Sequence, residues 1–154
     1  MLEILTPMSK LTRVSRRIDA ANFLAVPGIW AKVNSTGGLD NIATGVPALG
    51  TRIVISNASS NVYESHDIEV GRITTVETPG VRCKVDTAGY VDSANVAVGL
   101  DLVVSADAGE EGKLAVLDDV ANGTYEVVAR AEEFDAVNNI LTYLTVSPRT
   151  VTKP

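Results

Sequence analysis

Residues 95–147 read NVAVGLDLVVSADAGEEGKLAVLDDVANGTYEVVARAEEFDAVNNILTYLTVS, and the spacing of their apolar residues decides the fold class. Four short runs, VAVGLDLVVSA, GKLAVLD, TYEVVARAEE and NILTYLTVS, are separated by pieces rich in Gly, Asp and Asn. Leu114 and Val116 alternate with Lys113 and Ala115, and Ile140, Thr142, Leu144 and Val146 alternate with Leu141, Tyr143 and Thr145. That period of two is the mark of strands, and turn residues between the runs predict a compact antiparallel sheet. The chain is therefore expected to be mainly β, an antiparallel β-barrel or β-sandwich. Residues 1–28 are expected to form an N-terminal arm with one short amphipathic helix, and residues 29–154 a single β domain.

Composition agrees with this. A compact fold of this size, 154 residues, removes about 68–70% of its unfolded surface from water, so it needs no covalent staple. The apolar residues are mostly Val, Ala, Leu and Ile, and branched side chains suit a pleated surface better than a helix. With a single cysteine no intrachain disulfide can form. The first 17 residues hold no apolar run long enough for a signal-peptide core, and no segment approaches the roughly 20 apolar residues of a membrane helix. The chain is expected to be made in the cytoplasm and to have no membrane partner.

Charge divides the chain. Up to Ile18 there is one acid, Glu3, against Lys10, Arg13, Arg16 and Arg17, a net of +3, so the remainder of a chain of net −6 carries −9. From Asp86 to Asp135 twelve carboxylates face only Lys113 and Arg130, a net of −10. An acidic body repels phosphate backbones, so no nucleic-acid partner is expected. A basic tip on an acidic body suggests docking onto something acidic, such as a second copy of the chain, the alternative being a solvated segment with no partner.

In the first segment Leu11, Val14, Ile18 and Ala21 recur at helical spacing while Lys10, Arg13 and Arg17 fall on another side, and Ser9 can cap the start. These residues predict one amphipathic helix of about three turns, ended by Pro27-Gly28. Ile29–Val33 reads as the first strand, with Ile29, Ala31 and Val33 on one face and Trp30 and Lys32 on the wetter one. There Trp30 either anchors an interface or is half-covered by a neighbouring loop of the same chain. Residues 34–50 read as a long loop of the kind that is functional or ordered by a partner. The strand RIVIS, a polar turn region over 57–67, and a strand over 67–77 bent at a Gly71 bulge come next, followed by the Thr78-Pro79-Gly80 turn into VRCKV.

No pattern for a catalytic site, a cofactor or a metal emerges. His66 is the only histidine, and its neighbours Glu64 and Asp67 in YESHDIE cannot face it as triad members must. Cys83 alternates in phase with Val81 and Val85 and so faces the core, with Arg82 and Lys84 on the opposite side. Asp107, Glu110 and Glu111 do not follow the spacing of a calcium loop, and GEEGKL lacks the ending of a phosphate loop.

The order VAVGLDLVV, acidic turn, GKLAVL, YEVVARAEE, ILTYLTV resembles the C-terminal part of small bacteriophage capsid decoration, or cement, proteins. The matching positions are Val96, Gly99 and Leu102, then Gly112 and Lys113, then Val128, Ala129, Ala131 and Glu132, and finally Leu141 to Val146. They cover about the last third of the chain. The resemblance implies a non-enzymatic β-barrel or β-sandwich on the capsid surface of a virion. Its partners would be the major capsid protein and its own copies, as homodimer or homotrimer. The residues expected to make those contacts are Lys10, Arg13, Arg16, Arg17 and Trp30. A head-tail connector or tail component, and a small-molecule or glycan-binding β module, are the alternatives.

Overall fold

The computed structural model describes residues 1–20, 26–57, 72–77 and 79–154. The expected strands form wherever alternation is clearest, and they assemble into two antiparallel sheets. The larger sheet has the order β1 (Leu2–Ile4), β7 (Arg82–Val85), β11 (Ile140–Lys153), β10 (Gly123–Asp135), β8 (Asp101–Val104) and β9 (Leu114–Val116). The smaller has the order β2 (Arg13–Arg17), β6 (Arg72–Val76), β5 (Thr51–Asn57), β3 (Trp30–Val33) and β4 (Leu39–Asp40). A parallel bridge between Ile18 and Leu39, next to the Asp19 N–H to Leu39 C=O bond of 3.0 Å, brings the two outer strands of the smaller sheet together, so that sheet curls on itself.

Three apolar clusters follow from this arrangement, because both sheets are covered on both faces. Between the sheets lie Trp30, Ile53 and Val76 from one, and Cys83, Val85, Leu102, Val104, Leu114, Val128, Leu141 and Tyr143 from the other. Inside the curl of the smaller sheet lie Ile29, Ala31, Leu39 and Val54. On the far face of the larger sheet Val103, Ala115, Val120, Tyr125 and Val127 gather under the short 3-10 turn Leu117–Asp119.

The structure corrects three expectations. The three-turn helix does not form over its described part: Met8–Lys10 is a single 3-10 turn, and Arg13–Arg17 is a strand in register with β6, Val14 opposite Thr75 and Arg16 opposite Ile73. Val14, Arg16 and Ile18 share one face at period two, and the arginine among them hides the alternation in the sequence. Trp30 stands opposite Ile29 and Ala31 as expected, but its face is the one that packs between the sheets, leaving it 6% exposed, and only Lys32 runs past that cover. Finally, residues 95–100 turn rather than extend, because Gly99 takes φ +86° and donates to the Ala131 carbonyl at 2.8 Å; β8 begins at Asp101. The Gly71 bulge and the turn region past Asn57 lie outside the described residues.

The long loop is held by its own chain. Leu39 and Asp40 fold back on β3, Ile42 and Ala48 are buried, Gly45 N–H donates to the Ala106 carbonyl at 2.7 Å, and Gly50 N–H donates to the Glu126 carboxylate at 2.6 Å. These bonds tie the smaller sheet to the larger.

Another junction is at Gly112, whose carbonyl accepts from Trp30 N–H at 2.7 Å. Gly112 has φ +82°, and a Cβ there would lie 2.7 Å from the Trp30 carbonyl oxygen and 2.8 Å from Ile29. Its glycine is thus required twice, by backbone conformation and by space. Gly112→Ala is expected to cost about 1–3 kcal/mol of stability, read as a lower urea midpoint at unchanged m-value. An unshifted midpoint would contradict the role given to this junction.

Candidate functional site

Strand β2 positions the basic residues, and its alternation sorts them. Arg13 and Arg17 are exposed on one side, whereas Arg16 points to the inner face of the curled sheet and is only 15% exposed. Its guanidinium donates to Glu77 Oε1 at 2.7 and 3.1 Å, to Thr75 Oγ1 at 3.2 Å and to the Gly37 carbonyl at 2.8 Å. Arg52 of β5 donates to the other oxygen of Glu77 at 2.7 Å. Burial acts to raise the Glu77 pKa, but the hydrogen bonds from Arg52 and Arg16 outweigh it and hold the carboxyl below its ordinary value. One carboxylate thus joins β2, β5 and β6, and Arg16 is a structural cation. Lys10, at the end of the 3-10 turn, is exposed.

Beside β2 the turn Asn34–Gly38 forms one wall of a groove of about 260 Å³, lined by Val14, Ser15, Arg16, Arg17, Thr36, Gly37 and Gly38. Asp19 organises its rim. It accepts from Arg17 Nε at 2.5 Å, Asn34 Nδ2 at 2.8 Å and Thr36 Oγ1 at 3.1 Å, while Asn34 Oδ1 accepts from the backbone N–H of Thr36 and of Gly38. The hydrogen bonds from Arg17 and Asn34 lower the Asp19 carboxyl from 3.8 to about 2.

A second concavity of about 60 Å³ opens at the seam between the sheets, lined mainly by Trp30, Thr51, Ile53, Val76, Pro79, Val128, Thr145, Val146 and Pro148, with Arg52 and Glu77 beside it. The buried Thr51 hydroxyl and Trp30 Nε1–H have no partner in hydrogen-bond geometry, the Tyr143 hydroxyl being a polar neighbour of the indole. The structure therefore places Arg16 and Trp30 in two different concavities, linked by Glu77, and leaves Lys10, Arg13 and Arg17 on the outside. The sequence pointed to Trp30 as an unusual aromatic but gave no sign of Thr51 or Glu77, which enter through pairings across the sheet.

The other candidate residues are accounted for by local structure. Cys83 is fully buried, and burial pushes its thiol up to about 11. Glu110 pairs with Lys113 at 2.5 Å, and Glu111 accepts from Thr44 Oγ1 at 2.5 Å and Gly109 N–H at 2.9 Å. Among the described residues no three His, Cys, Asp or Glu side chains gather as metal ligands do. His66 lies outside the described residues. Of the residues that carry the resemblance, Leu102 lies on β8, Val128 to Glu132 on β10 and Leu141 to Val146 on β11, whereas Val96 and Gly99 lie in the turn before β8. A scan against protein-family models, a search of curated proteins and a search of solved structures found no match.

The two carboxylates generate distinct tests. Asp19 is bound as its anion, so its contribution is complete above its ordinary pKa of 3.8 and is lost as pH falls through about 2. The stability difference between wild type and Asp19→Asn should shrink across that interval in urea melts; a constant difference would count against the network. Glu77→Gln leaves two arginines short of their shared anion and is expected to cost about 1–3 kcal/mol at neutral pH. The buried thiol should resist a disulfide reagent at pH 8 until urea unfolds the chain, and rapid native labelling would contradict its placement.

Proposed function

We propose that this chain is a structural virion protein that binds the outer surface of a bacteriophage head and stabilises the shell through contacts with the major capsid protein and with its own copies. The resemblance of the last third of the chain supports this reading. The observation that carries it is the sorting of charge on β2: Arg13 and Arg17 stand outward beside Lys10, while Arg16 is turned inward to Glu77. That makes an exposed basic edge, with Arg17 shared with Asp19, on a body that is otherwise acidic. A shell needs many modest contacts repeated over its surface, and a strip on a rigid strand supplies one such contact per copy without loop ordering. Trp30, on β3 and buried between the sheets, does not present its indole to the shell.

The variant that tests the reading must spare Arg16, because reversing it would leave Glu77 facing a second anion inside the sheet. Arg17 is spared as well, because it holds Asp19, and the double change Lys10→Glu, Arg13→Glu should abolish co-sedimentation with purified heads of the source phage while urea unfolding stays cooperative. Undiminished co-sedimentation would sink the proposal.

A further inference from the structure

Strand β11 outruns one of its two neighbours. It pairs with β10 from Ile140 to Thr145 and again from Arg149 to Lys153, but β7 lies against it only from Leu141 to Leu144, with Thr145 bonded to Gly80 and Val81 at 2.7 and 2.9 Å. From Arg149 to Lys153 the side of β11 away from β10 has no strand beside it among the described residues. Residues 147–150 and Thr152 are exposed, and Val151 is half-buried. In a strand paired on one side only, alternate residues turn N–H and C=O outward, so this stretch is an edge on which another strand can add. Its Thr and Val side chains favour that pairing.

The chemistry of this edge reads the same in both directions. The run PRTVTKP, residues 148–154, has a proline at each end, a cation inside each proline, a threonine inside each cation, and Val151 at the centre. Laid antiparallel on a copy of itself about Val151, it sets Val151 opposite Val151, Thr150 opposite the partner's Thr152, and Arg149 opposite the partner's Lys153. Threonine pairs and branched apolar pairs are among the favourable cross-strand neighbours. A row of hydroxyls already crosses the hairpin, with Thr124 Oγ1 and Thr152 Oγ1 3.4 Å apart, and a second copy's Thr150 extends it. The cations that meet are engaged on their own copy: Arg149 carries the Asp101 carboxylate with it, and Lys153 Nζ donates to the Asp118 and Val120 carbonyls at 2.8 and 2.5 Å. Proline has no N–H to offer a ladder, so Pro148 and Pro154 fit at its margins and nowhere within it. A slip of two residues sets a proline opposite a threonine, which fixes the register.

We propose that Arg149–Lys153 is a self-pairing edge, which joins two copies antiparallel about a two-fold axis at Val151, so that one sheet runs from β10 and β11 of one copy into β11 and β10 of the other. The contact is isologous and therefore closes at a dimer. It deepens the reading above and rests on the contact between copies which that reading includes, and it gives each assembly two basic edges to set against a repeating shell. The pairing itself needs no shell. Lys10 and Arg13 lie on the 3-10 turn and on β2, so shell binding and pairing fail separately.

Sedimentation velocity of the full chain over a concentration series tests it. The wild type should move from monomer toward dimer mass and stop there. The double change Thr150→Lys, Thr152→Lys sets like charges opposite one another at both crossings, and should weaken pairing about tenfold or more while urea unfolding stays cooperative. Cysteines read the register, since the native Cys83 is buried. An equimolar mixture of Thr150→Cys and Thr152→Cys should cross-link under mild oxidation faster than either variant alone, because those two positions face each other only between copies. A wild type that stays monomeric at every concentration, growth past a dimer, pairing undiminished in the double variant, or cross-linking no faster in the mixture would each overturn the proposal.

Discussion

The structure depends on β3 being covered on both sides. Ile29 and Ala31 face the small core inside the curled sheet, Trp30 faces the core between the sheets, and the Trp30 N–H reaches the Gly112 carbonyl of the other sheet. A strand covered on both faces cannot slip by one residue, because the slip would exchange an indole for an isoleucine in cavities of different size. The register of β3 therefore sets that of its partners, Trp30 opposite Ile53 and Ile53 opposite Val76. The seam cavity lies beside the same strand, lined by Trp30 and Ile53 of the smaller sheet and by Val128 and Thr145 of the larger.

The polar chemistry follows the same division. Inside the curl Glu77 satisfies Arg16 and Arg52 at once, and a cluster of three charges takes the place of further hydrophobic packing. Such a cluster contributes little net stability compared with a well-packed apolar one, but removing a single member is costly, which makes it a fixed point of the fold. Outside the curl Arg13 and Arg17 are exposed, and Arg17 pairs with Asp19. One strand thus serves both as a wall of the fold and as a basic surface.

Much of the fold was legible in the sequence where both signals, alternation and turns, were local. β7, β9, β10 and β11 lie where alternation places them, and Cys83 is buried as its phase with Val81 and Val85 requires. The failures share a physical cause. β1 pairs with β7 across about eighty positions and β2 with β6 across about sixty, so neither short strand carries its own evidence of a partner. Arg16 on an inner face reads as a surface residue until Glu77 is seen beside it. Trp30 was assigned to a wet face because Lys32 shares it, although the cover ends between those two residues. Of the candidate site, the exposed cations Lys10, Arg13 and Arg17 were legible as a charge excess; Thr51 was not, because an isolated threonine in a strand has no distinguishing sequence context.

The proposal that this surface grips a phage head rests on the outward basic strip, the acidic body and the likeness of the last third of the chain to decoration proteins. The copy number of the chain in purified particles of its source, measured by quantitative mass spectrometry against the major shell protein, tests that claim most directly. The account predicts copies in fixed proportion to the shell subunits. A number matching only one ring at a single vertex, or absence from the particles, would contradict it.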